Sequence, residues 1–240
     1  MEYSREQLSS FWELQRSQPL SVAVCGDFDR TRVFTFVKSL TKQSPEAAPL
    51  PGAPEWTESR ELNLTLAERN QSHLLVLFPV AGLRHEDTAG LSLFKTVMAG
   101  QGGVLFRELR DRQGLGYSVT AMLWQVPETG FLAFYIGTYP DKVDQALESF
   151  RDIVHRLQEE ALTEGDLERA KNLLQGQYYR EHQSLGSRSG EAAELLSYGL
   201  PLDYQEELIQ KAGALTPEDL AGLAGRYFQW ERAYLLKVSP

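Results

Sequence analysis

The residues best placed to do chemistry in this 240-residue chain lie in one stretch, 99–119, where a predicted helix meets a predicted strand. Arg110 falls near the end of that helix. Gly114 and Gly116 follow it, and Tyr117 opens the strand. Glycines permit the positive φ values that a sharp reversal from helix to strand requires. The turn can therefore aim both side chains at one point, as a guanidinium and a phenol that donate to a carbonyl oxygen or an oxyanion.

The same two residues also allow a purely structural interpretation. Arg110 can complement the negative end of the helix dipole, and Tyr117 can pack with only its hydroxyl at the surface. The two interpretations differ in geometry. A donor pair requires both side chains on one surface, whereas the structural role allows Tyr117 to be buried against its own core and Arg110 to face away.

Other residue types that commonly do chemistry are poorly spaced. The chain has no His-Glu-x-x-His or His-x-x-Glu-His motif, although it contains four histidines: His73, His85, His155 and His182. Because zinc sites need two or three ligands in fixed local spacing, we expect no metal bound by this chain alone. Cys25, the only cysteine, falls on the small-residue face of a predicted strand, which favours packing over nucleophilic chemistry.

Charge and hydropathy exclude two further classes of partner. The chain has 24 Lys and Arg against 33 Asp and Glu, a formal net charge of −9, and no basic patch that could neutralise nucleic-acid phosphates. No apolar run approaches the ~20 residues of a membrane span. The N-terminal residues lack an apolar signal core. We therefore expect a soluble protein that is cytoplasmic or, if the full-length protein carries a targeting segment, periplasmic.

The predicted elements come in pairs of strands and pairs of helices. Strands are expected at 20–25, 62–66, 73–80, 117–126, 131–138 and 233–238, and the second and third are expected to form an antiparallel hairpin. Helices are expected at 5–16, 29–41, 86–99, 102–113, 141–161 and 163–183. An interruption at 186–190 precedes two more short helices. This order predicts an α+β fold with mainly antiparallel pairing and helices on one side.

Residues 105–119, Leu-Phe-Arg-Glu-Leu-Arg-Asp-Arg-Gln-Gly-Leu-Gly-Tyr-Ser-Val, resemble a signature of the insulinase/pitrilysin family of zinc metallopeptidases, the inverzincins. The resemblance is to the second, non-zinc domain of that family. It extends from about residue 20 to the end of the chain through weaker matches at 24–29, 138–140, 162–171, 216–220 and 227–228.

The resemblance implies a division of labour between two halves. In that family a first domain holds zinc through His-x-x-Glu-His and a downstream Glu, and a second domain of similar fold closes over it around the peptide. The halves belong to one longer chain or to separate subunits. Arg110 and Tyr117 match the Arg and Tyr of the second domain that contact the peptide, and Tyr117 would also assist catalysis. Zinc would then lie in the partner half, and this chain alone would bind no cofactor and hydrolyse no peptide.

The domain implied by the resemblance covers residues 20–240, with 1–19 as an N-terminal helix or connector. Its expected fold is α+β, with two similar lobes of antiparallel sheet, each with helices packed on one face, and a boundary between lobes near 43–59. The expected function is the substrate-binding, chamber-closing half of a zinc-dependent endopeptidase. The alternatives are a catalytically inactive peptide-binding or assembly protein of the same fold and, more weakly supported, an unrelated α+β binding domain.

Overall fold

Five strands form one sheet in the structure of this chain. The computed structural model describes residues 3–40, 52–68, 70–159 and 162–240. The strands are β1 (Arg60–Thr65), β2 (Ser72–Ala81), β3 (Gly116–Gln125), β4 (Thr129–Thr138) and β5 (Tyr234–Ser239), in the spatial order β1-β5-β2-β4-β3. Neighbouring strands are antiparallel except β1 and β5, which are parallel.

Helices account for most of the remaining described residues. They are α1 (Arg5–Arg16), α2 (Arg30–Leu40), α3 (Thr88–Met98), α4 (Val143–Glu159), α5 (Glu164–Glu181), α6 (Leu185–Tyr198), α7 (Tyr204–Ala214) and α8 (Pro217–Tyr227). A π-helix covers Phe106–Arg112, and short 3-10 helices cover Pro140–Lys142 and Trp230–Arg232. Among the described residues, none of these helices has the length and the apolar character that a bilayer crossing needs.

The core lies between one face of the sheet and the helices. On β2, fully buried Leu74, Val76 and Phe78 alternate with half-buried residues on the opposite face, as the period of a strand dictates. Buried aromatic rings join the sheet to the helices, with centroids 4.8–5.9 Å apart, among Phe78, Phe94, Phe134, Phe150 and Phe228. The predicted α+β class, with helices packed on one face of a mainly antiparallel sheet, is confirmed.

The chain divides into two units. The larger unit, Ala53–Tyr178 with Gln205–Pro240, contains the whole sheet, and the smaller consists of Met1–Gly52 and Tyr179–Tyr204. One boundary between the units follows Gly52. Residues 43–51 lie outside the described residues, and the expected boundary between lobes near 43–59 stays a prediction. The division of the chain into 1–19 and 20–240 stays a prediction.

The smaller unit differs from the expected second lobe. Its described residues include helices but no paired strand. In residues 20–25, half-buried and exposed side chains alternate, as in extended chain, yet the segment belongs to no sheet. A second sheet is therefore not found in the described part of this chain. In α1, whose apolar spacing would favour an inward face, Leu8, Phe11 and Trp12 are exposed.

The predicted hairpin of residues 62–66 and 73–80 is also wrong. β5 lies between β1 and β2, so that Leu62 pairs with Leu236 and His73 pairs with Val238. The strands themselves were predicted from their apolar patterns. Their pairing was inferred from the short connection between them. A short connection does not prevent a third strand, here β5 from the other end of the sequence, from lying between the two.

The predicted interruption at 186–190 is wrong for a local reason. These residues form the first turns of α6. The Oγ of Ser184 accepts a hydrogen bond from the amide of Ser187 at 2.9 Å and so caps the helix. Each glycine inside the helix costs about 0.5–1 kcal/mol relative to alanine, which the cap can offset.

Candidate functional site

The turn between the π-helix Phe106–Arg112 and β3 determines where the two predicted site residues lie. Gly114 has a φ of +59°, the left-handed conformation that favours glycine at a helix end. Its amide donates to the carbonyl of Arg110 at 2.9 Å, and the amide of Leu115 donates to the carbonyl of Leu109 at 2.8 Å. Leu115 is fully buried. The chain therefore reverses direction sharply and is anchored in the core within a few residues.

Neighbouring side chains donate hydrogen bonds to two backbone carbonyls of this turn. The hydroxyl of Thr138, at the end of β4, donates to the carbonyl of Leu115. The ammonium of Lys142 donates to the carbonyl of Gly114 at 3.2 Å. Both contacts satisfy carbonyls that a helix end and a turn would otherwise leave to water, so they favour one conformation of the turn.

The structure brings Arg110 and Tyr117 together. The Arg110 guanidinium carbon lies 4.3 Å from the centroid of the Tyr117 ring and 4.5 Å from that of Phe106. The guanidinium is thus stacked by cation–π contacts, whereas Tyr117 is 76% exposed. Within the described ranges, neither the guanidinium nor the Tyr117 hydroxyl makes a hydrogen bond or an ion pair, so the donors of both groups are free.

This arrangement contradicts the geometry of the structural interpretation. Tyr117 is exposed instead of packed in the core, and Arg110 faces Tyr117 instead of the opposite side. The sequence missed Phe106 as the second ring. Its spacing of four residues from Arg110 was the available signal, since positions i and i+4 are neighbours on a helix surface.

Gly116 is needed for a different reason than the one inferred from the sequence. It does not have a positive φ. A Cβ at this position would lie 2.2 Å from the carbonyl oxygen of Gly137, so only glycine lets β3 and β4 approach this closely. The pairing of β3 with β4 is irregular between Gly116 and Ser118, which leaves Tyr117 out of the regular register.

We therefore expect Gly116→Ala to destabilise the larger unit by about 1–3 kcal/mol, the usual cost of overpacking. Chemical denaturation followed by near-ultraviolet circular dichroism measures this change. Gly225→Ala is the matched control, because its Cβ would meet nothing within 4 Å and alanine favours the helix. Equal stability of the two variants would show that β3 and β4 can move apart at this position without a loss of folding stability.

A partly buried ion pair fixes the π-helix that carries Arg110. The Nη1 and Nη2 atoms of Arg107 donate to Oδ1 and Oδ2 of Asp166 at 2.6 and 2.9 Å. These hydrogen bonds hold the pKa of Asp166 below its usual value. Asp166 also takes part in the cap of α5, where its amide donates to the Thr163 hydroxyl at 3.1 Å.

Each of the four histidines has its own partner. His73 bonds the Tyr135 hydroxyl at 2.8 Å, and His85 accepts from the amide of Asp87 at 3.1 Å. His155 pairs with Glu159 at 3.2 Å and His182 with Glu191 at 2.9 Å. In the described part of the chain, no three His, Cys, Asp or Glu side chains come together as metal ligands. These residues do not fit a zinc ion.

Several relatives of this chain are named as uncharacterized zinc proteases. The family described as the peptidase M16 inactive domain matches residues 3–174. The uncharacterized zinc protease YmxG of Bacillus subtilis is 29% identical over 177 residues, which cover 72% of this chain and 42% of that protein. An uncharacterized zinc protease of Streptomyces coelicolor is 27% identical over 217 residues, or 85% of this chain and 47% of its own length. The chain thus spans about half the length of these relatives.

Solved structures share the fold. A protease from Helicobacter pylori superposes with a TM-score of 0.80 at 20% identity, covering 90% of this chain and 53% of that one. A peptidase M16 inactive domain from Pseudomonas fluorescens superposes with a TM-score of 0.79 at 20% identity, covering 90% of this chain and 52% of that one. The family match extends over well more than half of the chain. The chain therefore belongs to the peptidase M16 family as an inactive, non-zinc domain, as the resemblance of residues 105–119 to the insulinase/pitrilysin peptidases implied.

Proposed function

We propose that this chain is the substrate-binding and chamber-closing half of a zinc-dependent endopeptidase, to which it supplies Arg110 and Tyr117. The observation that carries the proposal is the stacked pair, with its ring and guanidinium 4.3 Å apart and its donors free. The inactive-domain family and the zinc proteases among the relatives support the same context. The zinc-bearing half, in the same longer chain or in a separate subunit, supplies the hydrolytic chemistry.

The two side chains differ in what they donate. The Tyr117 hydroxyl donates one hydrogen bond and is placed to stabilise the oxyanion that develops at the scissile carbonyl. The guanidinium of Arg110 has several donors in a fixed plane and is suited to hold a neighbouring carbonyl of the peptide. Stacking between two rings limits the motion of the guanidinium, which lowers the entropy cost of binding.

The strand that begins near Tyr117 supports contact with a peptide. Farther along β3, the side chains of Met122 and Trp124 are exposed, and the Trp124 ring stacks on Phe131 with centroids 5.5 Å apart. Exposed apolar side chains on a strand offer contacts to peptide side chains without requiring a particular charge. A peptide whose backbone is held at Arg110 and Tyr117 can then extend along β3.

We expect Arg110→Ala to raise KM for a peptide by about 10–100-fold in the presence of the zinc-bearing half, because a hydrogen bond from a charged group contributes about 1.5–3 kcal/mol. Steady-state kinetics at several peptide concentrations measure KM and kcat separately. Arg110→Lys should recover only part of the loss, since it keeps the charge but not the planar donors.

Arg112→Ala is the matched control for this experiment. Arg112 lies on the same π-helix and pairs with Glu108 at 2.7 Å. It should change KM by less than about twofold, as surface substitutions usually do. If Arg110→Ala has an equally small effect, Arg110 does not bind substrate. An inactive mixture of the two halves would favour the catalytically inactive peptide-binding or assembly protein.

A further inference from the structure

The smaller unit buries little of its own apolar surface. Neither α1 nor α2 contains a buried residue, and α6 buries only Leu195. α1 and α2 have 12 and 11 residues, a length at which isolated helices are marginal in water and depend on packing for stability. A unit with these helices requires a further surface against which they can pack.

Residues 20–25 have the pattern of a strand without a neighbour. Leu20, Val22 and Val24 are 51%, 38% and 40% exposed, and they alternate with the half-buried Ser21, Ala23 and Cys25. Across the ranges that the structure describes, the backbone of this segment makes no hydrogen bond to another strand. Its amides and carbonyls are therefore available for pairing with an added strand.

A groove lies beside this segment. It has a volume of about 420 Å³, and its walls are the segment itself and α2. Most of its lining is apolar, including Val22, Val24, Phe28, Val33, Phe34 and Val37. A strand added next to residues 20–25 would lie about 4.8 Å away and would place alternate side chains over this lining.

We propose that residues 20–25 are one strand of a sheet whose other strands belong to the zinc-bearing half, so that the two halves join at this segment. The assignment of the occupant rests on the proposed function. The length of the relatives supports this assignment. This chain matches only 42% and 47% of two of them, so each relative contains about as much chain again outside the matched part. A second copy of the chain is disfavoured by its formal net charge of −9, which opposes self-association.

The single cysteine allows a direct test, because the thiol of Cys25 lies at the end of the segment. The chain is alkylated with iodoacetamide alone and in the presence of the zinc-bearing half encoded in the same reading frame or beside it. Hydrogen exchange of the amides of residues 20–25 is measured on the same samples. We expect both rates to fall at least tenfold in the complex, as buried and paired strands are protected.

A substitution provides the second measurement. Val22→Asp should raise the dissociation constant of the two halves roughly 30-fold or more, since an unpaired carboxylate would be placed in an apolar contact. Leu202→Asp is the matched control, because Leu202 is an exposed apolar residue of the same unit outside the segment. It should leave the constant within about twofold.

The outcomes separate this inference from the proposed function. Unchanged alkylation and exchange in a complex that has formed would overturn the inference, as would the absence of any complex or of any encoded zinc-bearing half. Protection that appears in the chain alone as its concentration rises would assign the segment to a second copy and overturn it too. Tyr117→Phe should leave the protection of residues 20–25 in the complex intact and should change only turnover. The proposed function and the joining of the halves at residues 20–25 can therefore fail independently of each other.

Discussion

Replacing Tyr117 by phenylalanine is expected to lower kcat for peptide hydrolysis by about 10²–10³-fold when the zinc-bearing half is present. The substitution removes only the hydroxyl, which is free to donate in the structure because no described residue bonds to it. The ring remains and continues to stack on Arg110, which lies 4.3 Å from it. A donor that acts on the developing oxyanion changes kcat more than KM, and this difference distinguishes it from a binding contact.

Tyr179→Phe is the control for loss of an exposed tyrosine hydroxyl. Tyr179 is exposed as well, and it belongs to the smaller unit and not to the turn that carries Tyr117. Its removal should leave kcat unchanged within about twofold. Wild-type kcat in Tyr117→Phe would show that the phenol is not an oxyanion donor, and a rise in KM alone would assign it to substrate binding.

Replacing Phe134 by alanine is expected to destabilise the larger unit by about 3–5 kcal/mol. Phe134 is 0% exposed, and its ring lies 5.8–5.9 Å from those of Phe78, Phe150 and Phe228. Truncation leaves a cavity at the point where the sheet meets the helices. Phe134 also pairs across the sheet with Ala121 on β3, so the cavity lies beneath the strand that presents Tyr117.

Urea denaturation of Phe134→Ala and Tyr139→Ala measures this effect against a matched loss of an aromatic ring. Tyr139 is exposed, and the Lys142 ammonium lies 5.8 Å from the centroid of its ring. Its truncation should stay within about 0.5 kcal/mol of the wild type. Similar losses in both variants would mean that the aromatic cluster is not the main source of stability at this position.

The geometry of the candidate site could be predicted from the sequence because its main determinants are local. The approach of Arg110 to Tyr117 follows from one turn, which requires the positive φ of Gly114. The additional anchors could not be predicted in the same way. Arg107 and Asp166 belong to separate elements, and their ion pair depends on how those elements pack.

The fold shows the same distinction between local and distant determinants. The cap of α8 depends on local residues, with the Thr216 hydroxyl accepting from the Asp219 amide at 3.2 Å and Pro217 in the first turn. The positions of most helices and strands likewise follow from apolar periodicity. Strand order does not, because β5 comes between β1 and β2 from a distant part of the sequence. Residues 20–25 have a strand pattern, but the pattern does not identify the neighbouring strand.

The place of β5 in the sheet sets an order of events during synthesis. β2, β4 and β3 are neighbours in the sheet, and all their residues have been translated once residue 138 has left the ribosome. β1 precedes them in the chain, yet its partner is β5, with Arg60 paired to Tyr234. β1 therefore cannot pair until β5 has been synthesised. Until then, the edge of β2 that pairs with β5 in the finished sheet is unpaired and lies next to apolar side chains. Nascent chains that pause before residue 234 should consequently be the species that chaperones hold.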